Sequence, residues 1–212
     1  MSRIPRVLVA LASGLLLLAL LLPLWRVNLI APQYPEGLGM VIDAHTVRGA
    51  TEHDLGNINE LNHYIGMKVI DPAAIPELKV MPWAIVGLAV FAAGVALVGK
   101  RAPTLVWLAS FAALGLVGMW DFWKWEYMYG HDLDFAHAII KVPGMSYQPP
   151  LIGSKQLLNF TATSWPASGT FVLALAFVLG VCALVVTRRM GGGPVTTGKT
   201  ARAARVSRMA AA

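Results

Sequence analysis

Residues 81–120 read MPWAIVGLAVFAAGVALVGKRAPTLVWLASFAALGLVGMW, two apolar runs (81–99 and 104–120) hinged on the cations Lys100 and Arg101. Each run is close to the roughly 20 residues a helix needs to cross about 30 Å of hydrocarbon. Working outward, residues 7–25 and 169–187 form two further runs of the same kind. The pattern predicts an all-α membrane protein: one domain, 1–187, of four transmembrane helices. Its outer segments, 26–80 and 121–168, would form a small mixed cap. Residues 188–212 are Gly-rich and basic and are expected to be a disordered tail.

Charge gives the orientation. Arg3 and Arg6 precede the first run, Lys100 and Arg101 join the second to the third, and Arg188 and Arg189 close the fourth. With the tail, that face carries ten cations and no carboxylate (+10), against seven cations and eleven acids (−4) on the other. Positive charge marks the cytoplasmic side. The expected topology is therefore N-in, C-in in a bacterial inner membrane, with the functional loops in the periplasm. The net +6 reflects this rim and its attraction to anionic lipid, and calls for no nucleic-acid partner. Leu22, Pro23, Leu24 and Trp25 lack the small-residue cleavage pattern, so the first run is expected to be an uncleaved anchor.

Several chemistries are excluded on composition. Cys182 is the single cysteine, which removes disulfide frameworks and thiolate metal sites. No histidine lies in an apolar run, so haem held inside the bilayer is not expected. Gly193 to Thr200 matches the phosphate-loop pattern letter for letter. That loop works between a buried strand and a helix, with an acid to hold magnesium, and neither is at hand here. No nucleotide partner is expected. A Ser, His and Asp can be gathered from the outer loops, but no spacing supports a triad.

The outer segments hold all eleven carboxylates and all five histidines. In the first, 31–37 is turn-rich and 40–47 alternates as a short strand does. A helix is expected after it, capped by Asn57 with Glu60 three residues on, its apolar stripe being Ile58, Leu61 and Ile65. Glu60, His63 and Met67 would then group opposite that stripe. Gly66 would weaken the helix by about 1 kcal/mol relative to Ala. Thioether and imidazole together suit copper, Cu(I) above all. His63 and Met67 are the candidate metal ligands, with Met40 or Met145 completing a soft site and Glu60 or Asp121 tuning it through hydrogen bonds. His45, His53, Met128, His131 and His137 are further donors in reach of the same two segments.

The second segment opens Trp120-Asp121-Phe122-Trp123-Lys124-Trp125-Glu126-Tyr127-Met128-Tyr129-Gly130-His131. Its rings suit anchoring at the membrane interface. Asp121 and Glu126 should be paired there, with Lys124 or Arg26 as the available cations. Pro143-Gly144 and Pro149-Pro150 mark a loop, and 160–166 alternates like a strand returning to the membrane.

The stretches Ala31-Pro32-Gln33-Tyr34-Pro35-Glu36-Gly37, Leu61-Asn62-His63-Tyr64-Ile65-Gly66-Met67, Asp121 to Gly130, and Pro149-Pro150-Leu151-Ile152-Gly153-Ser154-Lys155 resemble a family of small bacterial four-span membrane proteins. That family occurs with accessory genes for nitrous oxide reductase and periplasmic copper handling, and the likeness covers residues 23–166. The resemblance implies a non-enzymatic accessory protein that delivers copper to, or helps assemble, a periplasmic copper enzyme such as nitrous oxide reductase. The alternative is a structural or anchor subunit of a respiratory complex, docking an electron-transfer partner through its aromatic and Pro-rich loops. A third reading is a membrane enzyme acting on lipid or quinone, with Asp121, Glu126 and His131 as acid/base groups.

Overall fold

The computed structural model describes residues 3–142 and 144–191. The phosphate-loop match and most of the basic tail lie outside the described residues. In chain order the elements are α1 (Arg3–Ala19), β1 (Trp25–Ala31), β2 (Tyr34–Ile42), β3 (Val47–Gly49), α2 (Asp54–Ile65), a 3-10 turn (Pro72–Ala74), α3 (Glu77–Val98), α4 (Arg101–His131), β4 (Gly153–Leu157), β5 (Phe160–Pro166) and α5 (Ser168–Gly191). The strands form one antiparallel sheet in the order β3-β2-β1-β5-β4.

This overturns the all-α, four-span expectation. Among the described residues, three helices (α3, α4 and α5) are long and apolar enough to cross a membrane. The first apolar run does not stay helical to Trp25. α1 ends at Ala19, and the chain passes through tight turns into β1, which begins at Trp25. Pro23 accounts for the stop, because it disfavours helical geometry in the residue before it and has no N–H to continue the ladder. The 17 residues of α1 span only about 25 Å. The third run errs the other way. α4 continues for 31 residues, so the aromatic and charged stretch is its last turns and not a loop.

α1, α3, α4 and α5 share a core in which Val9, Ala12 and Leu16 meet Ile85, Ala89, Ala92 and Trp107. Small residues let the helices approach, and polar groups fasten them. Ser13 Oγ donates to Ala89 O at 2.8 Å, and Trp107, fully buried, donates from Nε1 to Leu88 O at 3.0 Å. Gly180 makes room for the Trp107 ring, which a Cβ at that position would strike. Arg6 donates to Leu97 O. The α1 N-terminus therefore sits beside the Lys100–Arg101 junction, and the cations gather at the end of the bundle away from the sheet.

Along β1, Trp25, Val27 and Ala31 are buried while Arg26, Asn28 and Ile30 are exposed, the period of two that one covered face requires. Pro32 and Gln33 form the turn to β2, inside a stretch expected to be loop. β5 occupies the expected 160–166. Trp25 Nε1 donates to Ser164 Oγ at 2.7 Å, tying β1 to β5 through side chains as well as backbone.

α2 begins four residues earlier than expected, with His53 and not Asn57 at its N-cap, while Ile58 and Ile65 are buried as the stripe requires. Asp54 anchors it. This buried carboxylate accepts from Gly39 N (2.9 Å), Thr51 N (3.2 Å) and the Thr51 hydroxyl, so one side chain joins β2, the turn after β3 and the helix start. The Thr51 hydroxyl, with the two backbone N–H groups, holds its pKa below the usual carboxylate range. The stabilisation is therefore complete above the unfolded value of about pH 3.9 and is lost as pH falls through the lower native one. Asp54→Ala should cost about 1–3 kcal/mol in thermal unfolding of the purified protein. That cost should shrink when the melts are repeated at progressively more acidic pH.

Candidate functional site

The upper turns of α4 present two stripes, each with the one-turn spacing that aligns side chains on a helix. One stripe is Phe122, Glu126 and Gly130; the other is Asp121, Trp125 and Tyr129. On the first, Phe122 meets Trp25 of the sheet edge-on, with ring centroids 5.3 Å apart. Gly130 receives the loop that follows: Tyr147 N donates to Gly130 O at 3.0 Å, and the backbone of Gln148 lies where a side chain at position 130 would stand. Tyr147, 1% exposed, is thereby held beside the end of α4. On the second stripe, Tyr129 Oη donates to Val69 O at 3.2 Å, and Asp121 faces Glu77 at the start of α3.

Between the sheet, α2 and the helical bundle lies a cavity of about 1070 Å³, at the top of the roughly 300–1,000 Å³ range of small-molecule sites. It begins among the helices at Ile85, Phe111 and Phe177, and continues under the inward face of β1. α4 is the least covered of the three long helices, with 17% of its apolar window buried. Apolar side chains dominate the walls. The ionisable lining residues, apart from tyrosines, are Glu60, Glu77, Asp121 and Glu126, and no Lys, Arg or His lines it among the described residues.

The polar groups in this cavity are conspicuously unsatisfied. Both oxygens of Glu126, one oxygen of Glu77, Trp125 Nε1 and Tyr147 Oη are shielded from water and have no hydrogen-bond partner among the described residues. Glu126 is only 7% exposed. Its expected pairing with Lys124 or Arg26 does not occur: Lys124 lies over the Trp120 ring instead, 5.7 Å from its centroid. Burial pushes the Tyr147 hydroxyl above the usual phenol range, so near neutral pH it remains a donor. A buried polar group without a partner costs about 1–3 kcal/mol. Glu126→Leu should therefore raise the thermal midpoint of the ligand-free protein, a gain of up to that amount measured by scanning fluorimetry in detergent.

The sequence-predicted metal donors are divided by this geometry. Met40, Met67, Glu60 and Asp121 line the cavity, whereas His63 lies on the outer side of α2, beside a shallow depression next to Tyr64 and Ile139. Met145 borders neither. Gly66 is the reason His63 and Met67 do not share a helix face. It is the C-cap, left-handed at φ 78°, so α2 stops at Ile65 and Met67 lies beyond it. All five histidines are exposed. His131 stacks on Tyr127 at 4.0 Å and bonds its carbonyl, away from Glu126, so the acid/base trio with Asp121 and Glu126 is not assembled. His137 pairs with Asp134 at 2.7 Å. No cluster of three His, Cys, Asp or Glu suited to a metal occurs among the described residues.

Neither a protein-family model nor a curated protein matches the chain. The cavity's own chemistry must carry the functional argument. Sequence reasoning missed Glu77, which was taken as part of an outer loop, and Tyr147, which the Pro-rich loop concealed. The one legible sign was Glu126 itself, a carboxylate set among rings at the end of an apolar run.

Proposed function

We propose that this chain is a membrane-embedded binding protein for a hydrophobic amphiphile, taken up from the bilayer between α4 and its neighbours and held beneath the sheet. The supporting observation is the cavity's continuity, apolar from the bundle core to the underside of β1, with unsatisfied polar groups on several of its lining residues. The basic end of the bundle would face the cytoplasm and the sheet the periplasm. No chemical step is assigned to it.

Gly118 supplies the test. It lines the cavity, and a Cβ there would meet nothing within 4 Å, so a large side chain enters empty space and also relieves a helix-interior glycine. Gly118→Phe should weaken saturable binding of the neutral fluorophore N-phenyl-1-naphthylamine at least tenfold without lowering the thermal midpoint. Undiminished binding would place the fluorophore elsewhere and reject the cavity.

A second reading, copper delivery to a periplasmic enzyme, is favoured by one observation: the thioethers of Met40 and Met67 line the same cavity as Glu60. Soft sulfur of this kind selects Cu(I). On this reading the purified protein, loaded anaerobically, retains about one Cu(I) per chain. The Met40→Leu/Met67→Leu double variant loses it, while His63→Ala separates a mixed His/Met site from a thioether one. Retention unchanged in both would reject these ligands.

A further inference from the structure

The charge and hydrogen-bonding capacity of the cavity narrow its ligand to one chemical class, a deduction that rests on the amphiphile reading above. Four carboxyl side chains and no cation line the cavity among the described residues. A phosphate or fatty-acid carboxylate entering it would meet repulsion with no cation among the lining residues to offset it. An ammonium head suits carboxylates but supplies no acceptor, leaving the Trp125 N–H and the Tyr147 O–H still unmatched.

Glu126 and these two donors line the same cavity. Trp125 precedes Glu126 on α4, and the bond from Tyr147 N to Gly130 O brings the Tyr147 loop to α4 one turn beyond Glu126. A fitting head must therefore accept from an indole and a phenol, engage a carboxyl group, and remain uncharged. It must also be flat enough for a chamber walled by Trp25, Phe122 and Tyr129. A ring with an oxygen at either end meets all of these conditions. Its oxidised form offers two acceptors, and its reduced form adds two donors.

We propose that the amphiphile is an alkyl or prenyl quinone or quinol, its ring held by Glu126, Trp125 and Tyr147 and its tail running down into the bundle past Gly118 and Phe111. The chain contributes binding and orientation. No electron transfer is assigned.

Displacement of N-phenyl-1-naphthylamine from the full-length protein, in phosphatidylcholine nanodiscs, tests the assignment. Decylubiquinone should displace the fluorophore saturably, and palmitate and hexadecylamine should displace it at least tenfold less well. Tyr147→Phe removes only a hydroxyl and Glu126→Gln keeps the side-chain shape. Each should weaken decylubiquinone displacement severalfold and leave fluorophore affinity unchanged. Saturable fluorophore binding that decylubiquinone does not displace would overturn the quinone assignment and leave the amphiphile reading standing. Preferential displacement by hexadecylamine, abolished in Glu126→Gln, would reassign the polar site to a cationic head; preference for palmitate would overturn the charge argument. Without saturable fluorophore binding, the amphiphile reading itself falls.

Discussion

Gly130→Val is expected to detach the loop around Tyr147 from α4. A Cβ at position 130 would overlap the backbone N and Cα of Gln148 and also its Cβ: one partner is the last turn of α4, the other a main chain held against it by the bond from the adjacent Tyr147 N to Gly130 O. Overpacking against side chains costs about 1–3 kcal/mol, and an overlap with fixed backbone belongs in the tail of mutational effects above about 4 kcal/mol. The loss should be local before it is global. Limited proteolysis should cut within 132–150 at temperatures where α3 and α5 remain intact, and decylubiquinone displacement should weaken at least as much as in Tyr147→Phe. A variant that resists protease and binds normally would show that this loop is not what closes the cavity.

Gly66→Val should cost nearly as much, by a different route. Gly66 is left-handed, a conformation that costs other L-residues about 1–2 kcal/mol and a β-branched one more. Its Cβ would also stand 2.7 Å from Asp134 O and 3.0 Å from the Ala138 Cβ. The strands of chain meeting there are held by backbone bonds: Asp134 N to Gly66 O at 2.8 Å, and Ile139 N and Ile140 N to Tyr64 O at 3.1 and 2.8 Å. The expected result is a fall of more than about 3 kcal/mol in stability, with faster hydrogen exchange at the amides of Asp134, Ile139 and Ile140. Gly66→Ala should show a smaller fall at the same amides. Unchanged exchange there would separate α2 from the 134–140 segment.

What was legible in the sequence divides along physical lines. Hydropathy located the apolar part of α3, α4 and α5, because apolar runs of that length have few other uses. It misread the first run, since Leu20, Leu21, Leu22 and Leu24, in the turns between α1 and β1, are as apolar as the helix before them and hydropathy alone does not separate the two. The alternation of β5 was legible because Asn159 and Pro166 bound it. β1 has the same period of two, but its neighbour on either side was unknown. Asp121 and Glu126 were marked by their setting among rings. That the Tyr147 loop returns to α4 at Gly130 is a backbone contact between residues far apart in sequence, and no local pattern encodes it.

The helical grouping of His63 with Met67 failed for a related reason. A glycine costs little as a helix interior and terminates readily as a left-handed cap. The choice was made by the 134–140 segment, whose backbone bonds to Tyr64 and Gly66 favour the cap.

The pairing of β1 with β5 also governs the order in which the molecule can be completed during synthesis. Trp25 and Ser164 are joined across 139 residues, so the strand at the centre of the sheet leaves the ribosome early and waits for its second neighbour. α1 packs against both α3 and α5, and the last of these arrives later still. Until then β1 shows an open edge, competent to pair with any extended chain. Closure by so distant a partner is slow in entropic terms. A nascent chain halted before residue 160 should be aggregation-prone, and cells making this protein would need to shelter that edge until translation ends.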